Sequence, residues 1–187
     1  QTCALPIFSP GVTFSTAPFE KETTFAGPVK AKLFLSSTTP DTDLFATVCA
    51  FGADGKEMTF LAAPEPRAPV TQGWLRVSQR KTDPKRSTEY LPYYPHDERS
   101  DLKAGEVYEV DLEIWPISIA LPPGSKLTLT IQGKDFERPG ETGPMRGVAW
   151  FTHEDPTDRP PERFHGDVTL YTGGGDRKST RLNSSHR

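Results

Sequence analysis

Residues 106–114, EVYEVDLEI, alternate between apolar and acidic side chains. The even-numbered residues from Tyr108 to Ile114 are apolar, whereas the odd-numbered residues from Glu109 to Glu113 are acidic. Because successive side chains of an extended chain point to opposite faces, this pattern puts the apolar groups on one face. It predicts a strand that covers a core on one side and meets water on the other, as strands of antiparallel sheets do.

Four other segments have the composition or the alternation of strands. They are VKAKLFLSS (29–37), DLFATVCAF (43–51), KLTLTIQG (126–133) and GDVTLYTGG (166–174). The second is almost wholly apolar, which predicts burial on both faces. The third predicts that Leu127, Leu129 and Ile131 face inward. After the second segment, Asp54-Gly55 favours a tight hairpin turn, because this turn needs a positive φ.

Helices are not expected, because no stretch shows an apolar period of 3.6 residues over three turns and 19 of the 187 residues are proline. WPISIALPPGS (115–125) contains prolines and a glycine, which predicts a crossover between sheets. Short strands and frequent turns indicate an all-β fold, an antiparallel jelly-roll β-sandwich with long irregular loops. The loops span residues 63–105 and 134–165, and loops of this length usually serve a function or an interface.

The two ends of the chain, QTCALPI and DRKSTRLNSSHR, are related at the level of DNA. Codons for residues 176–182 can be chosen so that the complementary strand, read in the same frame, encodes residues 1–7. The string also resembles a common sequencing adapter. We therefore interpret residues 1–7 and 176–187 as adapter-derived, and residues 8–175 as one β-sandwich domain that stops before its last strand. The alternative is a genuine flexible basic arm.

Charge and hydropathy exclude two classes of partner. The chain has a net charge of −3, and four of its 22 basic residues lie in the C-terminal segment, so a nucleic-acid partner is not expected. No apolar run approaches the length of a membrane span, so no membrane partner is expected. Cys49 is the one cysteine in residues 8–175, which excludes a disulfide within that segment. Compartment and oligomeric state stay open.

GWLRVSQRKTDPKRS (73–87) brings Trp74 and Arg76 together on a short alternating segment. One interpretation is a ligand platform that uses stacking on Trp74 and cation–π contact. The favoured one is a buried Trp74 and an Arg76 that pairs with Asp83 to hold the loop, since Trp and Arg also anchor domain interfaces.

PYYPHDE (92–98) holds two tyrosines followed by His96 and Asp97. On an extended strand, His96 and Asp97 point to opposite faces, so they do not form a base with its orienting carboxylate. The favoured interpretation is a loop that packs its aromatic side chains on a neighbour. The candidate interface or pocket-wall residues are therefore Trp74, Arg76, Tyr93, Tyr94 and His96.

The sequence contains no pattern typical of a metal site or a catalytic centre. FTHEDPTD (151–158) offers His153, Glu154, Asp155 and Asp158, but not the ligand spacing of zinc or calcium sites, so a solvated acidic turn is favoured. No metal and no cofactor are expected. No Gly-x-Ser-x-Gly elbow occurs, and Ser78 and Ser118 lie in no strand-turn-helix context. Cys49 is expected to be a buried thiol, and no catalytic residue is predicted.

Three blocks in series resemble one protein family. They are TFAGPVKAKLFLSSTTPDTDLFATVCAFGADGKEM (24–58), GWLRVSQRKTDPKRSTEYLPYYPHDE (73–98) and LKAGEVYEVDLEIWPISIALPPGSKLTLTIQGKDFERPG (102–140). In this order they resemble the C-terminal domain of the X-Pro dipeptidyl-peptidase and cocaine-esterase-like (CocE/NonD) serine hydrolases. The resemblance implies a galactose-binding-like jelly roll that follows an α/β-hydrolase domain with a Ser-His-Asp triad.

The resemblance also implies what this chain lacks. No triad residue of the family maps onto it, and Gln79 stands where the family usually has a histidine. The chain itself is expected to be inactive, its parent to be a dipeptidyl-peptidase or esterase, and its partner to be its own hydrolase domain. Residues 63–105 are expected to pack on that domain and help wall its acyl pocket. The alternative is a free-standing carbohydrate-binding or interaction module, with Trp74, Tyr93 and Tyr94 as its platform.

Overall fold

The computed structural model describes residues 11–61, 67–138, 153 and 155–172, and the backbone of residues 178–183. Most secondary structure in these residues is β. The strands are β1 (Val12–Ser15), β2 (Thr23–Ser37), β3 (Asp43–Phe51), β4 (Glu57–Met58), β5 (Thr71–Arg76), β6 (Tyr108–Leu121), β7 (Lys126–Gln132), β8 (Asp167–Thr172) and β9 (Lys178–Asn183). A 3-10 helix (Val77–Gln79) follows β5, and a short helix, α1 (Pro161–Phe164), precedes β8.

The strands form two antiparallel sheets. In the first sheet the order is β1-β7-β3-β4, and β5 also pairs with β3. In the second sheet the order is β6-β2-β8-β9. The prediction of an all-β antiparallel sandwich is confirmed, whereas its jelly-roll and galactose-binding-like details stay predictions.

One apolar core lies between the two sheets. Leu44 and Ile131 of the first sheet belong to the same buried cluster as Leu112 and Leu170 of the second, and all four are at most 3% exposed. The alternation of residues 106–114 is confirmed, because the apolar face of β6 lies in this cluster. Burial of apolar surface between two sheets is the main stabilising contribution in such a fold.

The opposite face of β6 meets the outer face of β2 in a row of charges. The Lys30 ammonium lies 3.2 Å from the Asp111 carboxylate, and Lys32 pairs with Glu109. Partly exposed pairs like these contribute little to stability. They do show that the outer face of the second sheet is turned to water.

The central strand β3 is buried along its whole length, as its apolar sequence predicts. Cys49 is buried, as expected, and burial together with the nearby Glu57 carboxylate raises the pKa of its thiol to about 12. The predicted hairpin after β3 is also confirmed, because Gly55 has a φ of 79° and β4 pairs with β3. On β7, Ile131 is fully buried, and Leu127 and Leu129 are partly buried against the same core.

The predicted crossover between sheets is confirmed at residues 122–125, which connect β6 of the second sheet to β7 of the first, but residues 115–121 belong to a strand. β6 continues to Leu121, and its second half pairs with the start of β2. The register shifts between Gly27 and Val29 on β2, so that Trp115 and Pro116 of β6 lie opposite Pro28 alone. A proline cannot donate to the ladder, and a bulge removes that requirement, which is why the strand passes through Pro116.

The two segments predicted as irregular loops are interrupted by short elements. The first contains β5 and the 3-10 helix, and only residues 80–107 run without a strand between β5 and β6. The second contains α1, while residues 139–152 and 154 lie outside the described residues.

A strand follows β8, although the sequence predicts that the domain stops before its last strand. β9 pairs antiparallel with β8 from Asp167 to Thr172, and it is formed by residues of the segment interpreted as adapter-derived. The outer edge of β8 presents backbone N–H and C=O groups, and such an edge pairs with an extended neighbour whatever its origin. The adapter interpretation itself stays a prediction.

Candidate interface site

The exposed face of β5 builds the candidate site. Along β5 the side chains alternate, so that Thr71, Gly73 and Leu75 face the core while Trp74 and Arg76 face outward. Gly73 lies so close to β6 that a Cβ there would be 2.1 Å from the Glu113 carbonyl oxygen. This close approach places the outward residues of β5 beside β6, at one edge of the sandwich.

A pair of tryptophans occupies this edge. The ring centroids of Trp74 and Trp115 are 5.3 Å apart and tilted by 57°, a favourable geometry for two aromatic rings. Trp74 is 42% exposed and Trp115 is 58% exposed. The Thr71 hydroxyl donates a 2.8 Å hydrogen bond to the Trp115 carbonyl oxygen, which fixes the backbone at the β6 bulge. We call Trp74 and Trp115 the tryptophan patch.

The Arg76 guanidinium pairs with two carboxylates of its own domain. It lies 3.0 Å from the Asp43 carboxylate, and it donates two 2.8 Å hydrogen bonds to the two oxygens of Asp158. It also lies 4.7 Å from the centroid of the Phe164 ring. Pairing with Asp158 and then with Asp43 raises the pKa of Arg76, and the same hydrogen bonds lower the pKa of Asp158.

This arrangement corrects the favoured interpretation of the segment. Arg76 pairs with Asp43 and Asp158 instead of Asp83, and Trp74 is half-exposed rather than buried. The sequence could not show these pairs, because Asp43 and Asp158 come from β3 and from the segment before α1. Arg159 joins the same cluster through a 2.7 Å contact of its Nε with Asp43. The cluster therefore ties three distant segments together.

A concavity of about 260 Å³ opens between the tryptophan patch and this charge cluster. Its lining is half aromatic and aliphatic and half charged. The lining residues are Asp43, Phe45, Trp74, Leu75, Arg76, His153, Asp158 and Arg159. The formal charges of the two arginines and two aspartates in this lining sum to zero.

Comparison with known proteins identifies the family. The family model of the X-Pro dipeptidyl-peptidase C-terminal non-catalytic domain matches residues 9–177. The chain belongs to this family. No curated protein matches the chain.

Two solved structures of a CocE/NonD family hydrolase from Staphylococcus aureus are similar to the non-catalytic domain described here. One is 26% identical with a TM-score of 0.74, and the match covers 92% of this chain and 30% of that chain. The other is 29% identical with a TM-score of 0.65 and covers 70% of this chain and 24% of that chain. The chain thus spans less than a third of the length of these hydrolases, and it is a non-catalytic C-terminal domain of this hydrolase family.

The non-catalytic domain contains a histidine–aspartate pair that the sequence patterns do not reveal. The Nδ1 atom of His153 lies 3.0 Å from Asp135, whose other oxygen accepts a 2.6 Å hydrogen bond from the His153 backbone N–H. The imidazole packs 5.3 Å from Trp74 and 5.4 Å from Phe45, measured between ring centroids. Within the described residues, no Ser or Thr hydroxyl hydrogen-bonds to this imidazole, so the pair lacks the nucleophile of a triad.

The acidic turn predicted at residues 151–158 has two different parts. Asp155 accepts hydrogen bonds from the Thr157 N–H at 2.9 Å and from its hydroxyl at 2.7 Å, and these bonds lower the pKa of Asp155. Asp158 instead belongs to the arginine cluster. Glu154 lies outside the described residues. Over the residues that the structure describes, no three His, Cys, Asp or Glu side chains are grouped as a metal site would require.

Within the Tyr93–His96 segment, Tyr94 lies against the edge of β6. The Tyr94 hydroxyl donates a 2.6 Å hydrogen bond to the Asp111 carbonyl oxygen and accepts one of 3.2 Å from the Glu113 N–H. It thereby satisfies backbone groups of an edge strand. Burial raises the pKa of Tyr94. Packing of an aromatic side chain on a neighbouring element, the favoured interpretation, describes Tyr94 well.

His96 and Asp97 do not act together. His96 is exposed, has a φ of 53° and lies with its ring centroid 6.0 Å from that of Tyr94. Asp97 pairs with Lys81 at 3.2 Å. Gln79, at the position where the family usually has a histidine, ends the 3-10 helix after β5. A role in an interface or pocket wall stays a prediction for the five candidate residues, which are Trp74, Arg76, Tyr93, Tyr94 and His96.

No helix among the described residues is long and apolar enough to cross a membrane.

Proposed function

We propose that this chain is the non-catalytic β-sandwich of a longer serine hydrolase, of the X-Pro dipeptidyl-peptidase or acyl-ester type, and that the tryptophan patch packs on its α/β-hydrolase domain. The observation that carries the proposal is the exposure of two adjacent tryptophans in a domain of this family. Tryptophan is the residue type most enriched at the energetic centres of protein interfaces. Exposed aromatic rings that lie side by side are typical of contact sites.

The surroundings of the patch support the same role. The outer face of the second sheet carries paired charges of β2 and β6, which suit water, whereas the β5 edge presents rings. Arg76 and Arg159 together neutralise Asp43 and Asp158 beside the patch, so a protein surface can cover them without leaving a charge unpaired. The long β5–β6 connection starts at this edge and extends the surface that faces the hydrolase domain. In this position it helps to wall the acyl pocket.

The isolated chain is expected to show no hydrolytic turnover. A p-nitrophenyl ester and an X-Pro p-nitroanilide, assayed with the purified chain, should be cleaved no faster than with heat-denatured chain. The physical reason is that neither the sequence nor the described residues place a nucleophile beside a base. Saturable turnover that is abolished by a serine-directed phosphonate would contradict the proposal.

Removal of either tryptophan should weaken docking between the two domains of the complete hydrolase. Trp74→Ala and Trp115→Ala are each expected to cost about 2 kcal/mol of docking free energy, the magnitude of an interface hot spot. The measurement is the denaturant concentration at which half of the molecules have separated domains. Fluorescence transfer between the two domains monitors this separation. Phe34→Ala is the matched control, because Phe34 is equally exposed but lies on the charged outer face of the second sheet. Equal effects of all three substitutions would count against docking through the patch.

The concavity beside Trp74 favours glycan binding as the second candidate function. An exposed ring next to carboxylates and guanidinium groups offers both stacking and hydrogen bonds to a sugar. A glycan pull-down that retains the chain, and loses it in Trp74→Ala but not in Trp115→Ala, would establish this function instead of docking.

A further inference from the structure

The β5–β6 connection carries a closed loop, residues 83–93, which we call the finger. Its two ends are joined by a 2.9 Å hydrogen bond from the Asp83 N–H to the Tyr93 carbonyl oxygen. Ser87 braces it from inside, because its hydroxyl donates to the Asp83 carbonyl oxygen at 2.7 Å and accepts from the Tyr93 N–H at 2.9 Å. The base of the finger therefore holds its shape through bonds within the finger itself.

Further hydrogen bonds and a cation–π contact hold the rest of the finger, up to its tip. The Asp83 carboxylate accepts a 2.8 Å hydrogen bond from the Lys85 N–H, and the Arg86 guanidinium lies 3.5 Å from the centroid of the Tyr93 ring. At the tip, the Thr88 N–H donates to the Leu91 carbonyl oxygen at 2.9 Å, and the Thr88 hydroxyl accepts from the Leu91 N–H at 3.1 Å. A segment that is ordered in advance loses little conformational entropy when it binds.

The tip presents apolar side chains to solvent. Tyr90 is 57% exposed and Leu91 is 40% exposed, whereas Pro92, at the base, is buried. The charges of the finger cancel, since Asp83 and Glu89 balance Lys85 and Arg86. The tip also holds the exposed Glu89 carboxylate, but its two large exposed side chains, Tyr90 and Leu91, are suited to an apolar cleft.

The finger is anchored to the strand that carries part of the tryptophan patch. Tyr94, the residue after the finger, holds the Asp111 carbonyl oxygen on β6, and Trp115 follows four residues later on the same strand. Four residues of a strand span about 13 Å, so the base of the finger and the patch lie within one interface of ordinary size. This proximity is the reason to assign the finger tip and the patch to one partner.

We propose that the finger inserts Tyr90 and Leu91 into an apolar cleft of the α/β-hydrolase domain, next to the surface on which the tryptophan patch docks. This inference rests on the proposed function. It assigns to the finger tip a pocket-lining role that the tryptophans do not have, because Tyr90 and Leu91 belong to an irregular connection whereas the two tryptophans belong to strands.

Hydroxyl-radical footprinting tests both surfaces in one experiment. The oxidation rates of Tyr90, Leu91, Trp74 and Trp115 are measured by mass spectrometry in the chain alone and in the complete hydrolase, with Phe34 as the internal reference. Insertion predicts that Tyr90 and Leu91 are oxidised at least about fivefold more slowly in the complete hydrolase, with Phe34 unchanged. Protection of the tryptophans without protection of Tyr90 would overturn the finger proposal and leave docking standing. Protection of none of them would overturn both.

A pair of substitutions gives an independent readout. Tyr90→Ser with Leu91→Ser should leave the melting temperature of the isolated chain unchanged, since the closing bonds of the tip come from the backbone and from Thr88. In the complete hydrolase the same change should raise KM for a substrate with a bulky acyl group several-fold more than for an acetyl ester. An equal change of KM for both substrates, or none, would contradict a pocket-lining role. Lys85→Ser with Glu89→Ser is the control in the same loop.

Discussion

Gly73→Ala should destabilise the sandwich by about 3 kcal/mol or more, or prevent its folding. A Cβ at this position would lie 2.1 Å from the Glu113 carbonyl oxygen and 2.8 Å from the Ile114 Cα atom, both of which belong to the backbone of β6. Backbone atoms of a strand cannot move aside as a side chain can, so the two sheets would have to separate locally. The measurement is equilibrium unfolding in urea.

Gly52→Ala is the control for this substitution. Gly52 directly follows β3 of the first sheet, and the nearest atom to a Cβ there is a side-chain oxygen of Asp54, at 3.0 Å. That side chain is exposed and can rotate, so a change within about 1 kcal/mol is expected. If Gly73→Ala unfolded at the same urea concentration as Gly52→Ala, the close packing of β5 on β6 would be refuted.

Asp41→Ala should lower the free energy of unfolding by about 3 kcal/mol. The reason is that the Asp41 carboxylate is fully buried and accepts hydrogen bonds from backbone N–H groups. One of its oxygens accepts hydrogen bonds from the Thr42 N–H at 3.0 Å and from the Ser78 N–H at 2.9 Å. The other lies 3.5 Å from the Arg99 guanidinium. Truncation leaves two buried N–H groups without this acceptor, and of the two hydrogen bonds from the 3-10 helix to the β2–β3 turn it leaves only the 2.9 Å bond from the Val77 N–H to the Thr42 carbonyl oxygen.

Asp41→Asn separates hydrogen bonding from charge. The amide oxygen keeps both backbone bonds and loses only the attraction to Arg99, so a cost of about 1 kcal/mol is expected. Asp54→Ala, in the exposed hairpin, should cost less than either. Urea unfolding should show the largest loss of stability for Asp41→Ala, a smaller loss for Asp41→Asn and the smallest loss for Asp54→Ala. A larger loss of stability for Asp41→Asn than for Asp41→Ala would contradict the role of the carboxylate as a hydrogen-bond acceptor for the backbone.

The local patterns in the sequence predicted most of the strands. The alternation of residues 106–114, the apolar run at 43–51 and the Asp54-Gly55 turn all correspond to what the structure shows. The crossover between sheets is shorter than the prolines of residues 115–125 predict, and the reason is a bulge. Proline breaks a regular ladder, but the bulge opposite Pro28 lets the strand continue past Pro116, and a bulge depends on the partner strand.

The candidate site was predicted less well, because its contacts join distant segments. Trp74 could be picked out by residue type, but its neighbour Trp115 comes from a segment predicted as a crossover. Arg76 has its partners 33 positions before it and 82 positions after it, and no local pattern encodes such pairs. The finger was visible only as an aromatic-rich irregular stretch, since its internal hydrogen bonds join backbone groups that every sequence has.

The sequence by itself determined the fold class, the absence of a recognisable catalytic motif and the family resemblance. These properties depend on alternation, turn residues and blocks of residues that are contiguous along the chain. Only the tertiary structure decided where on the surface of the sandwich the tryptophan patch lies. That outcome depends on how β5 crosses β6 at Gly73 and on which carboxylates neutralise Arg76, and both are set by packing between segments far apart in the chain.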